Sequence, residues 1–319
     1  MNSSTRQEMK SRAVAPISRW DRYIADGSLM LTSILWGINI PVVKLATQGA
    51  PPLVFNASRM VLSTITLAVL AWLEWKLVKQ PDAKLDKRRL FIFALASGLA
   101  YPLLFMFGIN RTTAGNTALL LASMPMWTAV LSALFIRERL PLLTWTALGI
   151  TFSGTAIVLF ARGNVNLSSV DYFTGNLLIL VSALTWASAT VISGPLLKQI
   201  TPLQMAFWAA LITTPMHLLI VAKDLPSTLP KFTEPVNFGC LIYSGIFSTG
   251  IAYATWHVGV RRLGGSHASV YQNVVTLVAV LAGCFLLSEQ LLMPQIIGGV
   301  LMIGGLLLMR FSRRPTRPA

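Results

Sequence analysis

Apolar residues in this chain neither alternate nor recur every third or fourth position against a polar background; they fill whole blocks. Between charged residues, unbroken apolar stretches cover 90–110, 112–136, 140–161, 172–197, 199–222, 235–260, 263–288 and 290–309. Each holds the roughly 20 residues an α-helix needs to cross about 30 Å of hydrocarbon. Two more, 27–48 and 51–73, reach that length once Lys44 and Arg59 are allowed inside them. The pattern predicts an all-α polytopic membrane protein with ten transmembrane helices.

The blocks are written twice. Setting 114–140 beside 265–291 puts Ala118 against Ser269 and Glu138 against Glu289, 151 residues apart. Trp36 and Trp186, Pro52 and Pro202, Gly149 and Gly299, and Gly154 and Gly304 stand 150 apart. A constant offset marks a duplicated unit. Five spans per copy is an odd number, so the second copy enters the membrane from the opposite face, and the halves are expected to be inverted repeats. The expected organisation is a tail 1–26, a first five-helix repeat 27–162, an outer linker 163–175, a second repeat 176–310 and a tail 311–319. The linker is too short for a soluble domain.

Composition agrees with lipid as the solvent: 54% of residues are hydrophobic and 12% charged. The net charge of +15 could suggest nucleic acid, so the placement of the basic residues matters. Ten crossings put both ends on one side, and that side takes every Lys and Arg except Lys44, Arg59, Arg111, Arg162, Lys223 and Lys231. This is the positive-inside bias, which places both termini in the cytoplasm and assigns the basic excess to orientation and anionic lipid rather than to nucleic acid. The first 26 residues lack the apolar core of a cleavable signal peptide. Cys240 and Cys284 lie inside apolar spans without metal-like spacing and read as packing residues.

Within the spans, polar and aromatic residues fall on shared faces. Trp36 and Asn39 are one turn apart in span one, where Pro41 interrupts the backbone ladder. Span three carries Tyr101 beside Pro102. Span four sets Asn116, Ser123 and Trp127 on one stripe, with Pro125 in mid-span. Span six has Trp186, with Pro195 near its inner end. Span eight offers Tyr253, Trp256 and His257, and span nine the most polar face, Ser269, Gln272, Asn273 and Thr276. Trp36 and Trp186 lie deeper than the interfacial belt where Trp is usual, so they read as aromatic walls for a cargo or as packing. Tyr101, Tyr253 and His257 read as hydrogen-bonding groups for cargo or as satisfied contacts. Asn39, Gln272 and Asn273 need a partner or water, which makes them cavity-lining or interhelical. Ser123 and Trp127 complete the candidate substrate-binding set, and Pro41, Pro125 and Pro195 are candidate hinges.

Lys44 and Arg59 are expected to snorkel to headgroups from the outer ends of their helices rather than to hold an anion. Glu138 and Glu289 are expected to pair with a nearby Arg or a helix end. No Asp or Glu occurs in mid-span, which disfavours steep cation coupling. No residues stand at catalytic or metal-ligating spacing, so no catalytic residue, metal or cofactor is expected and an intramembrane enzyme has little support.

Taken together, the ten spans in two units, Trp36-Gly37, the segment from Ala114 through Pro125 to Glu138-Arg139-Leu140, its echo ending Glu289-Gln290-Leu291, and the glycine-bearing fifth and tenth spans resemble the drug/metabolite transporter superfamily, EamA type. The resemblance covers essentially residues 27 to 310. Within the superfamily the chain looks like the YddG-like bacterial amino-acid exporters. That resemblance implies a cell inner-membrane transporter, monomer or homodimer, exporting aromatic and other neutral amino acids such as Phe, Met and Thr by alternating access. Spans one, three, four, six, eight and nine would enclose the cavity. The alternative within the superfamily is a carrier of drugs, purines or sugar-phosphates.

Overall fold

The computed structural model describes residues 19–77, 83–135, 141–161, 169–263 and 271–312. Among them there is no β-strand, and ten helical elements follow the apolar blocks. These are α1 (Arg19–Gly49), α2 (Pro52–Leu77), α3 (Lys87–Ile109), α4 (Ala114–Phe135), α5 (Leu142–Phe160), α6 (Ser169–Leu196), α7 (Pro202–Ile220), α8 (Pro235–Ile242, Tyr243–Ile251 and Ala252–Leu263), α9 (Tyr271–Leu287) and α10 (Met293–Ser312). Eight of them, α1 to α8, are long and apolar enough to cross a bilayer; α9 and α10 contribute shorter apolar helices. Helix α1 starts eight residues before the apolar block, and α6 starts inside the stretch read as the linker. The tails 1–18 and 313–319, Glu138 and Ser269 lie outside the described residues.

Helix ends are closed by local side chains. The Thr113 hydroxyl accepts from the Asn116 N–H at the start of α4, and the Thr201 hydroxyl from the Gln204 N–H at the start of α7. Pro52, Pro202 and Pro235 open α2, α7 and α8, where a missing N–H costs nothing. Block reading missed three departures from regular helix. Helix α4 breaks after Leu121 and resumes at Met124, next to Pro125. Helices α3 and α8 each contain a π-helical segment, Leu95–Ala100 and Tyr243–Ile251. In them the Tyr101 N–H reaches back five residues to the Ala96 carbonyl, and the Ala252 N–H to that of Phe247. Such segments recur at functional sites in helices.

The two copies interlock by exchanging partners. Helix α1 packs on α8 and α9 of the second copy, while α6 packs on α3 and α4 of the first. Equivalent helices also meet directly, α2 with α7 and α5 with α10. Both of these pairs run antiparallel. Along α2 and α7, Asn56 meets His217, Thr64 meets Thr214 (2.8 Å) and Glu74 meets Thr201 (2.5 Å), so one number falls as the other rises. Along α5 and α10, Gly154 lies against Gly298 and Met302, and Thr151 against Gly305. A Cβ at Gly154 would stand 2.6 Å from the Gly298 carbonyl oxygen, so only glycine permits this backbone contact.

The bundle is tied shut at the end where α3 stops and α4 begins. Every residue from Ala114 to Leu120 is buried there, whereas in Met124–Phe135 only Met126 and Ala129 are. Glu289 accepts from the Ala114 and Gly115 N–H groups (2.7 and 2.9 Å), a carboxylate on the positive end of a helix from the other half. The helix-end expectation for Glu289 therefore holds. Lys44 Nζ donates to the Ile109 and Thr112 carbonyls, both at 2.7 Å, so it closes the end of α3 instead of snorkelling. Asn116 links Ala161, Asn176 and Gln295 in the same knot.

Candidate functional site

The polar centre of the molecule is built on α2. Asn56 and Arg59 share a face one turn apart and point between α7 and α8. Arg59 is only 6% exposed, which overturns the headgroup-anchor expectation. Its neighbours are protein groups, and the side chain is enclosed by helices on both sides. Arg59 Nε and Nη2 donate to Asn56 Oδ1 at 3.1 and 2.9 Å, and Nη1 donates to the Ser244 hydroxyl at 3.1 Å. Gly245 makes this possible: a Cβ there would stand 2.7 Å from Leu62, so α8 closes on α2 only because the position is glycine.

Donor and acceptor roles then run outward in one sense. A guanidinium can only donate, so Asn56 presents Oδ1 to Arg59 and Nδ2 to His217. Nδ1 of His217, 3.2 Å away, is therefore the acceptor, and Nε2 carries the proton toward the Gly98 carbonyl at 2.8 Å. That carbonyl belongs to the π-helical segment of α3, four residues before Pro102, which has no N–H to offer it. Asn56, His217 and Ser244 are all buried. The chain from Ser244 to Gly98 thus joins both π-helical segments through α2 and α7.

Aromatic residues gather in two groups. Trp36 packs edge-on against Tyr253 (centroids 5.6 Å) and lies 5.3 Å from Trp256, and its Nε1 donates to the Ser248 carbonyl at 2.9 Å. Trp186, its counterpart in the other copy, lies 4.9 Å from Tyr101, which stacks on Phe105. Tyr101 and Tyr253 come from opposite halves, and each lies within electrostatic reach of Arg59. All five rings, Trp36, Tyr101, Trp186, Tyr253 and Trp256, are half-buried. In this geometry each tryptophan faces a tyrosine of the opposite half.

The other candidate residues are distributed differently. Asn39 sits one turn from Trp36, and its Oδ1 is buried without a hydrogen-bond partner. Gln272 and Asn273 are half-buried in the first turn of α9. The Ser123 hydroxyl donates to the Leu120 carbonyl (2.6 Å), which satisfies it at the break of α4. Trp127 turns away to the scaffold, where it meets Phe152 of α5 edge-on at 5.1 Å, with its Nε1 buried and unbonded. Pro41 is buried inside the continuous α1, Pro125 adjoins the break in α4, and Pro195 is exposed in the last turn of α6. The side chain of His257 lies outside the described residues. A separate lateral cavity of about 470 Å³, bordered by Ser58, Phe232 and Phe238, contains none of the candidates.

Asn56, His217 and Ser244 were not among the sequence candidates. The signal was present for one of them, since Asn56 shares a face of span two with Arg59; nothing in the sequence said that His217 and Ser244 would meet them. Among the described residues no group of three or more His, Cys, Asp or Glu side chains could hold a metal.

Known proteins carry the same plan. A Bacillus subtilis protein named "Uncharacterized transporter YoaV" is 25% identical over 290 residues, covering 90% of this chain and 97% of its own length. A Streptantibioticus cattleyicolor protein named "Probable terminal-alkyne amino-acid exporter" is 27% identical over 286 residues, 88% of this chain and 91% of its own. A solved crystal structure superposes with a TM-score of 0.60 at 20% identity, covering 88% of this chain and 94% of that one, so the fold is shared with it. The model of the EamA-like transporter family matches twice, at residues 24–160 and 173–311, which makes each copy one family unit. With both copies matched, this multi-pass membrane transporter belongs to the EamA-like transporter family.

Proposed function

We propose that the protein exports aromatic and other neutral amino acids, Phe, Met and Thr among them, across the bacterial inner membrane by alternating access. The observation that carries this reading is the pairing of Trp36 with Tyr253 and of Trp186 with Tyr101, two aromatic walls each built from both halves of the chain. A flat or apolar side chain fits between such walls, and polar ends find donors and acceptors between them. The relative named for amino-acid export supports the same substrate class.

The ten helical elements are read as ten crossings in two inverted repeats, with both termini cytoplasmic. Antiparallel pairing of α2 with α7 and of α5 with α10 supports that reading, because equivalent helices in inverted halves run in opposite directions. On this topology the sealed end around Glu289 and Lys44 is the outer one, so the described state is closed outside. Pro41, Pro125 and Pro195 are proposed hinges, and Asn39, Gln272 and Asn273 proposed lining residues.

The test is uptake by counterflow in proteoliposomes loaded with unlabelled Phe, Met or Thr. Labelled amino acid should accumulate well above protein-free vesicles, and Trp186→Ala should lower Phe counterflow several-fold while Thr counterflow changes less. Equal accumulation with and without protein would end the amino-acid reading.

A further inference from the structure

Arg59 has donors left over in a place where a lone cation is costly. Of its five N–H groups, three are engaged, and every acceptor is neutral: Asn56 Oδ1 takes Nε and Nη2, and Ser244 takes Nη1. One N–H remains on each terminal nitrogen. Arg89 pairs with Asp86 at 3.7 Å at the start of α3, whereas among the described residues no salt bridge involves Arg59. Desolvating a guanidinium without a counter-charge carries a penalty of several kcal/mol. A structural role alone would be met by a neutral residue at lower cost. A guanidinium fork held from one side by Asn56 and Ser244 is oriented to donate two parallel hydrogen bonds to a carboxylate.

We propose that Arg59 binds the carboxylate of the cargo, so that transport selects compounds with a free monoanionic acid group between the two aromatic walls. The inference rests on the transport reading above and narrows it. Asn39 Oδ1, buried without a partner one turn from Trp36, is the acceptor available on the α1 wall for an ammonium. A phosphate ester fits less well. Its second negative charge would need a second cation, and Lys44, the other cation inside an apolar span, is held by the Ile109 and Thr112 carbonyls in the sealed end.

Competition against labelled L-phenylalanine in proteoliposomes tests this, with phenylalanine methyl ester, phenethylamine and 3-phenylpropionate as competitors. In the unmodified protein, 3-phenylpropionate should compete while the ester and the amine compete about tenfold to a hundredfold less well than phenylalanine, the range expected for a charged hydrogen bond. Arg59→Gln should erase that preference, and Arg59→Lys should keep part of it. An ester or amine that competes as well as phenylalanine in the unmodified protein overturns the proposal without touching the transport reading. So does an acid preference that survives in Arg59→Gln. Should labelled phenylalanine not move at all, thermal unfolding of the purified protein with 3-phenylpropionate or phenethylamine decides. Stabilisation by the acid alone, lost in either Arg59 variant, upholds the carboxylate site while the amino-acid reading falls; no stabilisation by the acid overturns the site as well.

Discussion

The π-helical segments of α3 and α8 occupy equivalent places in the two repeats. The Tyr101-to-Ala96 and Ala252-to-Phe247 bonds are the same backbone feature 151 residues apart. Each segment also presents a carbonyl, Gly98 or Ser248, to a side-chain N–H from a neighbouring helix. There the likeness ends. In α3 the donor is His217, tied through Asn56 to a buried arginine, and Pro102 removes a backbone donor nearby. In α8 the donor is Trp36, whose ring is also a wall of the aromatic group. The duplicated backbone break persists in both copies while the side chains that satisfy it have diverged, one toward a charged network and the other toward an aromatic surface. An irregular helix at membrane depth is tolerated where protein covers it, and either solution provides that cover.

If the two solutions differ in kind, they should fail differently. The largest effect is expected for His217→Leu, which strands both the Gly98 carbonyl and the Asn56 amide; each orphaned group costs about 1–3 kcal/mol, so the unfolding free energy in mixed micelles should drop by about 2–4 kcal/mol. Adding Pro102→Ala to that variant returns an N–H to the turn and should recover about 1 kcal/mol, a gain measured as the difference between the single and double variants. No recovery would mean that the proline does not set the need for His217. Trp36→Phe keeps a ring against Tyr253 but removes the bond to Ser248, and should cost about 1 kcal/mol in the same unfolding assay. The smallest change, about 0.5–1 kcal/mol, is expected for Thr64→Val, which breaks the Thr64–Thr214 bond between repeat-equivalent residues and leaves both π-helical segments intact. A Thr64→Val effect as large as that of His217→Leu would show that the contact between α2 and α7, rather than the carbonyl at Gly98, carries the network.

Much of the architecture is legible in the amino-acid sequence alone. The apolar blocks set the helices, and the offset between Trp36 and Trp186 announced the duplication that the family match at 24–160 and 173–311 bears out. The glycine-bearing fifth and tenth spans do pack on each other through Gly154 and Gly298. The aromatic candidates meet in two groups, spans one and eight through Trp36 and Tyr253 and spans three and six through Tyr101 and Trp186, whereas Trp127 faces α5. A helical stripe shows which residues share a face and is silent about which neighbour that face meets.

Arg59 shows the same limit from the other direction. A cation inside an apolar block can reach for headgroups or be enclosed by protein, and the linear pattern is identical in the two cases. Its surroundings come from residues 161 and 185 positions away from Asn56 and Arg59, on helices of the other copy. Local hydrophobicity is a property of neighbours along the chain, so it determined the spans, their duplication and the membrane as solvent. Burial of a charge, the register of a π-helical turn and the partner of a carbonyl depend on contacts between distant segments, and only the packed helices decided those.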